Sequence, residues 1–120
     1  MLIDYMGRGF LDNIIALFKQ DATAYRFIPD MLGNENLRVR IGATALVEEL
    51  AVEHRNELQS AVPGLIELLT HENPTIRGDV ASALGMIKDA SAVNALQACL
   101  KDAHPGVREA AEDALSEIGH

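Results

Sequence analysis

Two segments of the chain align without a gap: Leu69-Thr70-His71-Glu72-Asn73-Pro74-Thr75-Ile76-Arg77 and Leu100-Lys101-Asp102-Ala103-His104-Pro105-Gly106-Val107-Arg108. Each runs on through small residues to a leucine and an isoleucine, Ala83-Leu84 and Ile87 against Ala114-Leu115 and Ile118. A third copy is Leu32-Gly33-Asn34-Glu35-Asn36-Leu37-Arg38-Val39-Arg40, followed by Leu46, Val47 and Leu50. The β-branched-Arg pair therefore recurs as Val39-Arg40, Ile76-Arg77 and Val107-Arg108, at intervals of 37 and 31 residues. Self-similarity at this period confines a chain to stacked supersecondary units, because one unit cannot bury its apolar surface alone. The six extra residues of the first interval fall around Glu53 to Glu57, a polar stretch suited to a loop or one helical turn between units.

Each unit reads as a pair of helices. Val62, Leu65, Ile66, Leu68 and Leu69 are spaced for one apolar helical face, and Pro63 sits in the first turn, where a missing N–H costs nothing. Asn73-Pro74 and His104-Pro105 mark the turns, with each proline at the first position of a second helix. The second helix of the middle unit then directs Ile76, Val80, Ala83, Leu84 and Ile87 inward, and Gly119 suits the residue that ends the last helix. Before the repeats, Phe10 to Lys19 reads as an amphipathic helix, and Gln20-Asp21-Ala22-Thr23 as a break with an N-cap. Pro29 falls too late for a first-turn proline in a helix over 24–32, which predicts a kink or a helix starting near Ile28. The chain divides into a capping helix (1–21) and repeats over 22–52, 58–89 and 90–119, all in one 120-residue domain.

Composition narrows the class further. Alanine and leucine supply over half of a 48% apolar content, while aromatics make up 4% and tryptophan is absent. That suits close-packed helices and disfavours a sandwich or barrel. The net charge of −8 disfavours nucleic acid and anionic membranes as general partners, so neither is expected, and leaves basic protein surfaces open. Cys99 is the single cysteine, so neither an internal disulfide nor a cysteine-based zinc site is available, which fits a reducing cytoplasm. No basic, apolar leader opens the chain at Met1, and no apolar run reaches membrane length.

The prolines, the β-branched-Arg pair and the Ala-Leu-x-x-Ile tail resemble HEAT-like repeats, of the short variety seen in armadillo-type solenoids and in phycobilisome-lyase-like repeat proteins. The resemblance spans about residues 22 to 119. It implies an all-α, right-handed α-α superhelix of about three helix pairs plus the N-terminal helix; because that scaffold carries no convergent reactive constellation, a non-catalytic role in binding other proteins is expected, with no cofactor. In this family a loop aspartate commonly contacts the repeated arginine and links repeats. The equivalent positions here are Asn34, His71 and Asp102, so the expected ladder is broken, with Asn34 or His71 serving as neutral acceptors. The family also includes deoxyhypusine hydroxylase, whose di-iron site uses His-Glu dipeptides just after the valine-arginine position. Here that slot holds Ile41-Gly42, Gly78-Asp79 and Glu109-Ala110, so the ligands are missing and no metal site is expected.

Three groups of residues remain as candidates for function. Arg40, Arg77 and Arg108 read as scaffold residues that satisfy loop carbonyls or acids between units. Second helices line the concave face of such solenoids, where partners dock. There Gly78, Ala81, Ser82 and Gly85 suggest a small-residue trough, flanked by Glu48 and Glu49 on one side and Glu109, Glu112, Asp113 and Ser116 on the other. That trough would admit a helix or loop bearing Lys or Arg. Finally, all five aromatics lie within the first 27 residues, as a cap or a contact surface. Phe10, Leu11, Ile14, Ile15 and Phe18 are candidates for a homodimer through residues 2–18. Cys99 reads as a small buried hydrophobe with no residue to activate it. The leading expectation is a protein-interaction adaptor. The alternatives are a bilin lyase-like enzyme or subunit, which an absorption spectrum with added bilin tests, and a fragment of a longer solenoid.

Overall fold

The computed structural model describes residues 20–119 together with Asn13 and Ala16–Phe18. Asn13, Ala16, Leu17, Phe18 and Gln20 are helical, within the stretch where the capping helix is expected. The described residues then form seven α-helices: α1 (Ile28–Leu32), α2 (Leu37–Glu53), α3 (Arg55–Leu58), α4 (Val62–Leu68), α5 (Pro74–Ile87), α6 (Val93–Cys99) and α7 (Pro105–Ile118). Among these residues there is no strand.

Local sequence accounts for the boundaries. Each first helix opens with a 3₁₀ segment, Ala22–Phe27, Gln59–Ala61 or Ala90–Ala92, before continuing as α1, α4 or α6. Asp21 and Asp89 start two of these by accepting the N–H of Thr23 and Ser91. The Pro29 difficulty resolves as expected: the α-helix begins at Ile28, so Pro29 falls in its first turn. Pro63 likewise lies at the start of α4, and Pro74 and Pro105 open α5 and α7. Asn36 and Asn73 cap α2 and α5 by accepting the N–H groups of Arg38 and Thr75, each at 2.9 Å. Gly119 ends α7 at φ 101°, a left-handed conformation open to glycine at little cost. The six extra residues go into the last turn of α2, a break at His54 and the short α3.

The second helices α2, α5 and α7 lie side by side, α5 against both others, while the first helices pack along their other flank. Position in the row dictates which faces are apolar. Central α5 buries Ile76, Val80, Ala81, Ala83, Leu84, Gly85 and Ile87, about half its circumference. Terminal α7 buries only the stripe Val107, Ala111, Ala114 and Leu115. One core runs through all three pairs, from Tyr25 and Ile28 through Leu46, Leu65 and Leu84 to Leu96 and Leu115. At the N-terminal end Phe18 and Tyr25 meet edge to face, with ring centroids 5.3 Å apart and both side chains buried.

Gly85 sets how closely α5 and α7 approach. A Cβ built there would lie 2.8 Å from Ala114 Cα, so any side chain forces the two backbones apart. Gly78, two turns earlier on α5, has no atom within 4 Å of the same construction. Gly85→Ala is therefore expected to destabilise the protein by roughly 1–3 kcal/mol through overpacking. Gly78→Ala is expected to stabilise it by about 0.5–1 kcal/mol through helix propensity. Denaturant unfolding of the two variants checks both signs, and equal effects would contradict the asymmetry. In the same assay Leu84→Ala and Leu115→Ala, which truncate equivalent core positions, are each expected to cost on the order of 2–5 kcal/mol.

Candidate functional site

The repeated arginine is the fourth residue of each second helix, one turn in, so its side chain reaches back over the preceding turn. Arg40 Nη1 donates to the carbonyls of Asn34 and Glu35, both at 2.8 Å. Arg77 Nη1 donates to those of His71 and Glu72, at 2.8 and 3.2 Å, and Arg108 Nη1 donates to that of Asp102 at 2.6 Å. These turn carbonyls lie beyond the reach of intrahelical N–H groups, and the guanidinium supplies the missing donor. The turns themselves are built alike. Asn34 Oδ1, His71 Nδ1 and Asp102 Oδ1 accept the N–H two residues on, at 2.8, 2.9 and 2.9 Å. A carboxamide, an imidazole and a carboxylate thus serve equally at this position.

The expected break in the arginine ladder is corrected by this geometry. Asn34 and His71 do serve the arginines, but through their backbone carbonyls and not their side chains. The links to the next repeat are both ionic. Arg77 grips Asp102 with two parallel bonds, Nε to Oδ2 at 2.9 Å and Nη2 to Oδ1 at 3.0 Å. Arg40, only 6% exposed, reaches Asp79 Oδ2 at 3.2 Å, an acid on α5 and not in the turn. Sequence reasoning missed Asp79 because it looked for the acid six residues before the arginine. The available signal was its position two residues after Arg77, where the other repeats place Gly42 and Ala110.

The second-helix face carries two adjoining grooves. One, of about 410 Å³, lies between α2 and α5, with Leu37, Ile41, Thr44, Ala45 and Glu48 on one side and Thr75 and Asp79 on the other. The second follows the seam of α5 and α7. Its wider part, about 370 Å³, is lined by Gly78, Asp79, Ser82, His104 and Ala110, and about 230 Å³ more is lined by Ser82, Gly85, Asp113 and Glu117.

The anticipated trough is therefore rearranged. Gly78 and Ser82 line the α5–α7 groove, with Asp113 on its wall, while Glu48 stands on the wall of the separate α2–α5 groove. Ala81 is fully buried, and Gly85, pressed against Ala114, lines only the narrower part of the α5–α7 groove. Glu109 and Glu112 are exposed but line neither groove. In the 31-residue register Glu112 and Ser116 match Ala81 and Gly85, the ridge that meets the next second helix. They therefore mark the free flank at the end of the row. Large apolar residues on the face were missed: Leu37 and Ile41, 57% and 60% exposed. The available signal was Ile41 in a slot that holds Gly78 and Glu109 in the other repeats.

Of the dimer candidates, Phe10, Leu11, Ile14 and Ile15 lie outside the described residues. Phe18 is buried against Tyr25, which corrects its assignment to a contact surface. Cys99 is buried, and burial pushes its thiol up, with nearby Asp102 adding to the effect. Among the described residues no three His, Cys, Asp or Glu side chains gather as a metal site, and no helix is long and apolar enough to cross a membrane.

With this architecture in place, the family is plain. Residues 43–116 match the family model for HEAT repeats, more than half of the chain, and the protein belongs to the HEAT-repeat family. A comparison with curated proteins returned no match.

The inter-repeat ion pair has a testable pH signature. The bonds from Arg77, followed by that from the His104 N–H, hold the Asp102 carboxyl below its ordinary value. A depressed acid contributes stability above its unfolded pKa, about 3.9, and loses it as pH falls through the lower folded value. The stability gap between the protein and Asp102→Asn is expected to hold constant from about pH 7 to 5 and to close below about pH 4. A gap that persists undiminished at pH 2.5 would show that the carboxylate charge is not what Arg77 requires.

Proposed function

We propose that the protein is a non-catalytic adaptor that binds a basic protein partner on the face formed by α2, α5 and α7. HEAT repeats generally mediate protein–protein interaction, which sets the class. The observation that carries the reading is the pair of grooves floored by small or aliphatic residues and walled by carboxylates. Among the described residues Glu48 and Asp113 have no cationic partner, whereas Arg40 is neutralised by Asp79 and Glu117 lies 3.8 Å from Lys88. The free charge on the walls is negative, and so is the −8 of the whole chain. Such a surface attracts Lys and Arg at long range and repels acidic chains, including further copies of itself. The burial of Phe18 removes one support for a homodimer through residues 2–18, which does not enter this reading. A cytoplasmic setting is the one that suits a single buried thiol.

Affinity capture from native extract, followed by mass spectrometry, is expected to yield one stoichiometric protein with a basic contact segment. Association should slow and weaken as salt rises from 50 to about 300 mM, as the Debye length shortens. Glu48→Lys combined with Asp113→Lys should reduce affinity at least about ten-fold while the helical circular dichroism spectrum is unchanged. A tightly held metabolite in place of a protein, or an affinity indifferent to both reversals, would overturn the proposal.

A further inference from the structure

The groove between α2 and α5 differs from its neighbour in one respect that bears on what it holds. Leu37 and Ile41 stand one turn apart on the same flank of α2, both more than half exposed. Thr44, Ala45 and Glu48 continue that wall for eleven residues from Leu37, about 16 Å at 1.5 Å per residue. The corresponding positions along α5 are Pro74, Gly78, Ala81, Ser82 and Gly85, with no large aliphatic group among them. Packing within the chain explains Gly85 and Ala81, but not Ile41, whose side chain is open to solvent beside a space of about 410 Å³. An aliphatic pair at one end of a straight wall and an unpaired carboxylate at the other is a two-part recognition surface.

The polar groups of this groove are largely committed. Arg40 spends its bonds on Asn34, Glu35 and Asp79, and Thr44 donates its hydroxyl to the Arg40 carbonyl. No Asn or Gln lines the walls. An extended peptide laid here would bury its amides without partners, at the cost that desolvated backbone groups carry. A helix satisfies its own backbone and offers side chains alone. Resting on the adaptor reading above, we infer that the α2–α5 groove receives an amphipathic helix from a partner protein. The helix sets aliphatic residues at i, i+3/i+4 and i+7 against Leu37 and Ile41, and a Lys or Arg against Glu48. A second copy of this chain is disfavoured as the occupant by its net charge of −8.

Fluorescence anisotropy with a labelled, hydrocarbon-stapled 15-residue helix of leucines in one stripe and lysines elsewhere tests this directly. The expected result is saturable binding that weakens at least ten-fold with Ile41→Glu and with Glu48→Lys. It should be absent for the same composition in scrambled order and for the version carrying Glu in place of Lys. Both substitutions lie at exposed positions, and an unchanged melting temperature confirms that the fold is retained. Amide chemical shifts should move at Leu37, Ile41 and Thr75. No binding, equal binding of the scrambled peptide, or indifference to Ile41→Glu overturns the inference. If a captured native partner is lost with Glu48→Lys and Asp113→Lys but not with Ile41→Glu, the adaptor reading stands and the helix-in-groove assignment falls.

Discussion

The fold depends on one contact made three times: an arginine one turn into each second helix, donating to the carbonyls of the turn before it. A tight helix–helix turn leaves carbonyl groups that no backbone N–H can reach, and leaving them unpaired near the core costs more than a hydrogen bond returns. Arg40, Arg77 and Arg108 close that gap with the same nitrogen and nearly the same distances. A lysine is a poorer fit for both tasks, because its donors sit on one nitrogen, whereas the guanidinium spreads five over three nitrogens in a fixed fork. The second direction matters as much. Arg40 and Arg77 carry their remaining donors to Asp79 and Asp102 in the following repeat, so one residue both shapes its own turn and locks the stacking of the next unit.

Close approach of the second helices then determines where free surface remains. Gly85 brings α7 against α5 at Ala114, and burial of Ala81 on the same ridge continues that seam. Toward the helix N-termini the seam opens at Gly78, and between α2 and α5 it opens beside Ile41. The grooves are thus the places where packing of the solenoid does not use the small or aliphatic side chain it is given. Two of the wall carboxylates, Glu48 and Asp113, are left without a cation among the described residues, and under the proposed function they are what would select a cationic partner.

Much of this was already legible in the chain. The period, the turn prolines and the apolar spacing of Ile76, Val80, Leu84 and Ile87 determined an all-α repeat architecture and its helix boundaries. These are local properties: proline fixes a first turn, and a helical face of four large aliphatic residues must find a core. The importance of the repeated arginines was equally visible. Their partners were not. Asp79 joins Arg40 across 39 residues of chain, and only the stacking of α2 on α5 brings the two together. The surface was read least well, because a helical pattern gives angles around an axis and not which neighbour occupies each angle. Gly78 and Gly85 are both glycines of one helix, yet one lies open in a groove and the other is sealed against α7. Sequence alone singles out Glu112 as part of a binding face and passes over Ile41. Only the tertiary structure shows that packing against α5 leaves Ile41 in solvent, and that Glu112 stands on the flank where no further helix follows among the described residues.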